Sequence, residues 1–252
     1  MKYKIKPDDF EGYGSLAGSD GKLDWGDRLY MITNPVNRRK SHLFPELPSS
    51  LRNTLESYFQ ELQNLSRKFF GMIAKNLRME VKEMEELFED GMQSVRLNYY
   101  PPYSKPELVM GIIPRSDATG ITILHQVNGV DQIKRMAFGF LSASFLKHLN
   151  LTITSKILLD SLLIRSNGLY RSIEQRASIN SEKERISVAF FVNPRFDAEI
   201  GPATSLINPE NPALFKRIGM EDYVKGLFSR KLNGKKYLDY MKIEDGECMQ
   251  HN

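Results

Sequence analysis

Arg185-Ile186-Ser187-Val188-Ala189-Phe190-Phe191-Val192-Asn193, closed by Pro194, is the stretch from which the fold class follows. β-Branched and aromatic residues fill it, and proline cannot donate into a central ladder, so a strand ending at 193 is expected. Successive side chains on a strand point to opposite faces, which places Arg185 and Ser187 on the same face, two residues apart. A guanidinium is permanently charged and presents a planar, two-pronged donor. A hydroxyl beside it completes a grip on a single carboxylate. Arg-x-Ser recurs by chance in many chains, so its meaning rests on its surroundings.

Upstream, Val95, Leu97 and Tyr99, then Val109 and Ile112, then Ile121, Ile123 and Leu124 mark short strands separated by Pro and Gly turns. Many short strands without intervening helices favour a sandwich or jelly roll over a βαβ fold. Before them, Leu51, Leu55, Tyr58, Phe59, Leu62, Leu65, Phe69 and Ile73 recur at spacings of three and four. That stripe predicts one long amphipathic helix, entered at Pro48-Ser49-Ser50 with a Ser as N-cap. A shorter helix is expected over 81–89. Residues 8–48, rich in Gly, Asp, Asn and Pro with no sustained period, read as loop with short extended pieces. Helical pattern returns after Pro209, around 221–230, and the chain ends in a polar tail. The fold class is therefore α+β, a jelly-roll core with flanking helices.

With 252 residues, 41% of them hydrophobic and 26% charged, the composition is that of a globular protein and excludes fibrous or disordered classes. The 35 basic and 31 acidic residues are spread along the chain. The short run Arg38-Arg39-Lys40 is expected as a solvated loop, not a nucleic-acid patch. Cys248 is the single cysteine, so no internal disulfide forms and a reducing compartment is favoured. No apolar run follows Met1-Lys2-Tyr3-Lys4 to make a secretory signal. The most apolar stretch, Met136 to Ile164, is interrupted by Lys147, His148, Asn150, Lys156 and Asp160, and falls short of a membrane span. A soluble, cytoplasmic, monomeric protein is expected, with neither nucleic acid nor membrane as partner.

Several segments occur in a telling order: Asn98-Tyr99-Tyr100-Pro101-Pro102, Pro106-Glu107-Leu108-Val109-Met110-Gly111, and Ser116-Asp117-Ala118-Thr119-Gly120-Ile121-Thr122-Ile123-Leu124. Later come Ser166-Asn167-Gly168-Leu169-Tyr170-Arg171-Ser172-Ile173-Glu174 and Pro202 to Gly219. In this set the chain resembles the plant family of Fe(II)/2-oxoglutarate-dependent dioxygenases, in the branch holding senescence-related proteins and alkaloid O-demethylases. The resemblance covers 1–134 and 166–243. It implies a double-stranded β-helix core, with 1–90 a remnant of an N-terminal helical domain, 91–243 the jelly-roll domain, 136–164 aberrant within it, and 244–252 a tail. It implies Fe(II) and 2-oxoglutarate as cofactors, Arg185 and Ser187 on the cosubstrate's distal carboxylate, and Asn98 and Tyr100 helping to hold it. The implied substrate is a small aromatic plant metabolite, hydroxylated or O-demethylated as 2-oxoglutarate is decarboxylated to succinate.

The chain departs from that family pattern in three places. Iron in such enzymes sits on two His and one carboxylate. The resemblance puts these ligands at 115, 117 and 175, where Asp117 survives but Arg115 and Gln175 stand at the two His positions. A guanidinium has no lone pair to give a metal, and a carboxamide is a poor substitute for imidazole. Arg115 and Asp117 share a strand face and are placed to pair. His125 and His148 are the candidates to rescue the site. No catalytic residue is assigned, and iron binding is doubtful.

Secondly, the chain begins at what resembles the middle of the family's N-terminal domain, just before Glu11-Gly12-Tyr13-Gly14, which predicts uncovered apolar surface. Thirdly, Met136 to about Ile164 does not match the family. Back-translated and read two nucleotides later, Met136-Ala137-Phe138-Gly139-Phe140-Leu141 permits a Gly-apolar-Trp-apolar-Pro pattern of the family, with the frame restored by Ser166; an ordinary diverged insert is the alternative. The expectation is a family member impaired as a catalyst. The alternatives are a non-catalytic 2-oxoglutarate-binding relative or a non-functional product of a truncated, frame-shifted gene copy.

Overall fold

The computed structural model describes residues 4–5, 11–14, 24–40, 42–43, 48–115, 119–130, 133–135, 156–158, 160–170, 175–229 and 236–243. Its strands are β1 (Gly12–Tyr13), β2 (Asp27–Asn34), β3 (Gln93–Tyr100), β4 (Ile112–Arg115), β5 (Ile121–Gln126), β6 (Ile133–Arg135), β7 (Lys156–Leu158), β8 (Gln175–Ala177), β9 (Arg185–Val192), β10 (Glu199–Ile200) and β11 (Ile218–Gly219). Six of them form one sheet in the order β1-β2-β3-β9-β5-β7, three form a second in the order β4-β8-β6, and β10 pairs with β11. All these pairings are antiparallel. The two larger sheets are the walls of a jelly roll.

The strand expected at 185–193 is β9, and it lies between β3 and β5 in the larger sheet. One face of that sheet carries Met31, Val95, Ile121, Ile123, Phe190 and Val192, all buried. Residues two apart on β5 and on β9 thus fall on the same side, as the pleat requires. Against them lies α1 (Ser49–Leu77), whose buried stripe includes Phe59, Leu62, Phe69, Phe70 and Ile73. Phe59 stacks on Phe190 with ring centroids 6.3 Å apart. Each such side chain contributes about 1.5–3 kcal/mol by leaving water, so this seam dominates the core. Among the described residues no helix is long and apolar enough to cross a membrane.

The helix start differs from expectation in its cap. Pro48 occupies the N-cap position with extended ψ of 139°, and no side-chain cap bond forms. Ser49 and Ser50 are already helical, because the proline ring, which cannot continue a helix backwards, fixes the boundary in front of them. The following helix, α2 (Val81–Phe88), buries Met84, Leu87 and Phe88. Phe88 stacks on Phe70 at 3.8 Å. Gly120 must be glycine here: a Cβ would fall 2.1 Å from Phe88 Cε1 and 2.9 Å from the Val192 carbonyl oxygen.

Two further expectations are corrected. Residues 8–48 contain a full strand, since β2 pairs with β3 along its length from Asp27↔Tyr99 to Asn34↔Gln93. Its alternation was masked because its inward face carries Arg28 beside Tyr30. The Arg38-Arg39-Lys40 run is not a solvated loop either. Arg39 Nε donates to the Thr33 carbonyl at 2.6 Å, its guanidinium pairs with Glu56, and Lys40 lies 3.8 Å from Glu11.

Within 136–164, residues 136–155 and 159 lie outside the described residues, as does the question of a shifted frame. At its end, β7 pairs with β5, and α3 (Asp160–Arg165) buries Leu162 and Ile164 completely. Arg165, 6% exposed, pairs with Glu83 at 2.9 Å and donates to the Glu83 carbonyl at 3.1 Å. Glu83 also accepts from the Thr204 amide and from the Thr204 and Ser205 hydroxyls, which ties α2 to the loop before β11. The expected C-terminal helix is α4 (Met220–Ser229), followed by α5 (Lys236–Tyr240). Tyr223, Leu238 and Met241 pack there on Ile164, Ile200 and Phe215. The 244–252 tail lies outside the described residues.

Candidate functional site

The other face of the larger sheet is chemically distinct. In the β3–β9 ladder Tyr100 stands opposite Arg185 and Asn98 opposite Ser187. These four residues, expected as cosubstrate ligands, are thereby brought together, although β3 and β9 lie far apart in sequence. Arg185 is 1% exposed, Ser187 0%, Tyr100 4% and Asn98 5%. The alternation that sends Val95 and Phe190 to α1 sends these inward. Ala177 of β8 joins the same apolar cluster as Tyr100, with Ile112 of β4 packed against it, so the smaller sheet closes over them.

Local geometry gives each a task. Asn98 Nδ2 donates to Ser187 Oγ at 3.3 Å and to the Arg96 carbonyl at 3.3 Å. The hydroxyl of Ser187 accepts this bond, so its own hydrogen is available to an anion. The Arg185 guanidinium carbon lies 5.0 Å from the Tyr100 ring centroid, a cation–π contact that helps hold its plane. A buried guanidinium with a hydroxyl donor beside it suits the end of a dicarboxylate. The donor set fits 2-oxoglutarate.

The expected metal positions lie in the smaller sheet. Arg115 stands opposite Gln175 in the β4–β8 ladder, beyond a register shift between Ile112 and Arg115. Gln175 is also in register with Arg135 of β6. The two positions where the resemblance expects imidazoles are therefore paired across one ladder, and with position 135 the residues in register are Arg, Gln and Arg. Two fixed cations and one carboxamide do not fit a ferrous ion. Asp117 and His148 lie outside the described residues. His125 is on β5, opposite Val188, in the other sheet. Its alternation follows Ile121 and Ile123 towards α1, and its Nδ1 lies 3.3 Å from the Tyr58 hydroxyl. It points away from the inner face, so it is not placed to serve a metal beside positions 115 and 175.

Residues not singled out from the sequence share that face. Arg28 of β2 is opposite Asn98, and Tyr30 is opposite Arg96. Their signal was available: counting back by two from Tyr100 and Asn98 reaches Arg96. Burial pushes the Tyr30 phenol up; the Ser94 hydroxyl pulls it back, Glu11 pushes it up again, and the charges of Arg96 and Arg28 oppose that. Tyr30 donates to Ser94 Oγ at 2.8 Å.

Residues 91–194 match the 2OG-Fe(II) oxygenase superfamily. The chain is 46% identical over 251 residues to codeine O-demethylase of Papaver somniferum, covering 96% of this chain and 67% of that protein. It is 44% identical over 251 residues to oxoglutarate-dependent flavonoid 7-O-demethylase 1 of Ocimum basilicum, covering 97% of this chain and 66% of that one. It thus spans about two thirds of the length of these relatives. Among solved structures, JOX2 in complex with 2OG, Fe and JA superposes with a TM-score of 0.78 at 29% identity, covering 93% of this chain and 70% of that one.

Proposed function

The chain belongs to the 2OG-Fe(II) oxygenase superfamily, and from that membership we propose that it retains the family's 2-oxoglutarate pocket while being impaired in the metal-dependent reaction. Arg185 holds the distal carboxylate, Ser187 donates its hydroxyl to the same group, Asn98 sets the Ser187 rotor, and Tyr100 covers the guanidinium face. Ala177 and Ile179 pack round Tyr100 and exclude water, which strengthens each of these contacts. In the family, bound 2-oxoglutarate supplies the electrons for reducing dioxygen as it is decarboxylated. The reading of impairment is supported by Arg115 and Gln175 at the two expected histidine positions, paired in the β4–β8 ladder, because neither residue type offers iron an imidazole. The relatives named as O-demethylases support, as the reaction in which the chain would be impaired, removal of a methyl group from a small plant metabolite. The single cysteine, Cys248, supports a reducing compartment such as the cytoplasm.

The test is purification under anaerobic conditions with Fe(II), then bound iron per chain, succinate release in air, and calorimetric titration with 2-oxoglutarate alone. Metal-free 2-oxoglutarate binding with iron well below one per chain and no succinate is expected. Stoichiometric iron with turnover would overturn the reading of impairment, and failure to bind 2-oxoglutarate would overturn the pocket.

A further inference from the structure

A cavity of about 260 Å³ lies between α1, α2 and the helix-covered face of the larger sheet. Gln93 and Val192 border it, and along β3 the pleat sends position 93 to the side opposite Asn98 and Tyr100. The cavity is therefore across the sheet from Arg185 and Ser187. Its volume exceeds the roughly 150 Å³ that accommodates a benzene ring.

The floor is apolar except at one position. Phe70 and Phe88, stacked at 3.8 Å, and Val192 supply the apolar part. Gln93 interrupts it. This residue stands opposite Val192 and shares its side of β3 with Val95, which is buried in the seam beneath α1. Gln93 is 5% exposed, and among the described residues its carboxamide has no hydrogen-bond partner. A buried carboxamide without a partner is destabilising, so glutamine is a poor choice here unless something in the cavity pairs with it. The rim is charged: Glu85, Glu89 and Asp90 are exposed there, against one lining cation, Arg67. Arg195 also feels Glu89 and Asp90, but Asp197 holds its guanidinium at 2.8 and 3.0 Å. Negative charge is thus in excess at the mouth.

We propose that this cavity binds an arylalkyl ammonium ion, a small amine with one aromatic ring. The ring lies on Phe70, Phe88 and Val192, Gln93 Oε1 accepts an ammonium hydrogen, and the carboxylates of Glu89 and Asp90 face the charge. The rim repels an anion, a bare metal ion leaves the apolar floor unused, and a neutral ring leaves the rim unused. The site stands apart from the 2-oxoglutarate pocket and does not rest on it.

2-Phenylethylammonium and 2-phenylethanol, alike in ring and chain but not in charge, are titrated calorimetrically into the full chain at neutral pH. Each exposed carboxylate adds at most about fivefold and the buried oxygen adds more, so the ammonium ion is expected to bind at least about tenfold tighter than the alcohol. Glu89→Gln together with Asp90→Asn is expected to bring the two ligands within about threefold. Both positions are exposed, and asparagine tolerates the φ of 56° at position 90. Gln93→Met keeps the length of the side chain and removes the acceptor; it is expected to weaken the ammonium ion at least about fivefold. Equal binding of the two ligands to the parent, or no binding of the ammonium ion, would overturn the proposal whether or not the variants fold. So would an unchanged preference in the rim variant, or an unchanged ammonium affinity in a folded Gln93→Met protein. Displacement of the ammonium ion by saturating 2-oxoglutarate would overturn it as well, by putting the amine on the inner face.

Discussion

Arg185→Gln removes the charge from the cosubstrate grip while leaving a polar side chain of similar reach. Arg185 is 1% exposed and Ser187 0%, so the carboxylate they hold would be fully desolvated. In that setting truncating one partner of a hydrogen-bonded charge pair costs about 3–5 kcal/mol, against at most about 1 kcal/mol for an exposed pair. At 1.4 kcal/mol per tenfold, 2-oxoglutarate affinity should fall roughly 100- to 3000-fold. Arg185→Lys keeps the charge but loses the planar fork and the fit over Tyr100, and should fall between parent and Gln variant. The assay is calorimetric titration with 2-oxoglutarate, metal-free and at fixed ionic strength, with far-UV circular dichroism to check folding. A loss of less than fivefold in a folded Arg185→Gln protein would refute the assignment, since a surface-like contribution cannot come from a residue this buried.

Three other outcomes are expected. Gly120→Ala must push Phe88 at least 1 Å from where a Cβ would otherwise meet it at 2.1 Å, yet Phe70 stacked at 3.8 Å blocks its retreat. The cost should be about 2–4 kcal/mol, read as a fall in Tm of roughly 5–15 °C. Glu83 titrates below the ordinary carboxylate range: burial pushes it up, but the Ser205 hydroxyl, the Arg165 charge and the Thr204 donors outweigh that. Its contribution is therefore fully present above the unfolded carboxylate value and is lost as pH falls through the lower folded value. Glu83→Gln should cost about 1–2 kcal/mol at neutral pH, discounted because the side chain is 21% exposed, and the gap between urea midpoints of parent and variant should narrow as pH falls below the ordinary carboxylate range. Lastly, Arg115→His together with Gln175→His should raise bound iron towards one per chain in a colorimetric iron assay. No gain would mean these positions do not make the metal site.

The helix α1 was legible because its stripe holds a period of three and four over many turns, and β9 because β-branched and aromatic residues fill it. The pocket was half legible. Period two put Arg185 with Ser187, but the partnership with Asn98 and Tyr100 depends on a ladder closed across a long stretch of chain, and only family resemblance supplied it. Contacts between distant charged residues left no local trace: Arg39 finds Glu56, and Arg165 finds Glu83, through packing that composition cannot anticipate. Strand β2 was hidden for a related reason. Its inner face carries Arg28, which breaks the apolar alternation by which a strand is recognised.

The ladder that sets position 115 against position 175 also constrains how this chain can change. A lone imidazole placed at 175 would stand in register with Arg115 on one strand and Arg135 on the other, residue types with no lone pair to give a metal. A lone imidazole at 115 would stand in register with Gln175, whose carboxamide is a poor substitute for the second imidazole. On the proposed reading neither single substitution supplies two imidazoles, so iron affinity should respond to the pair of changes together and hardly to either alone.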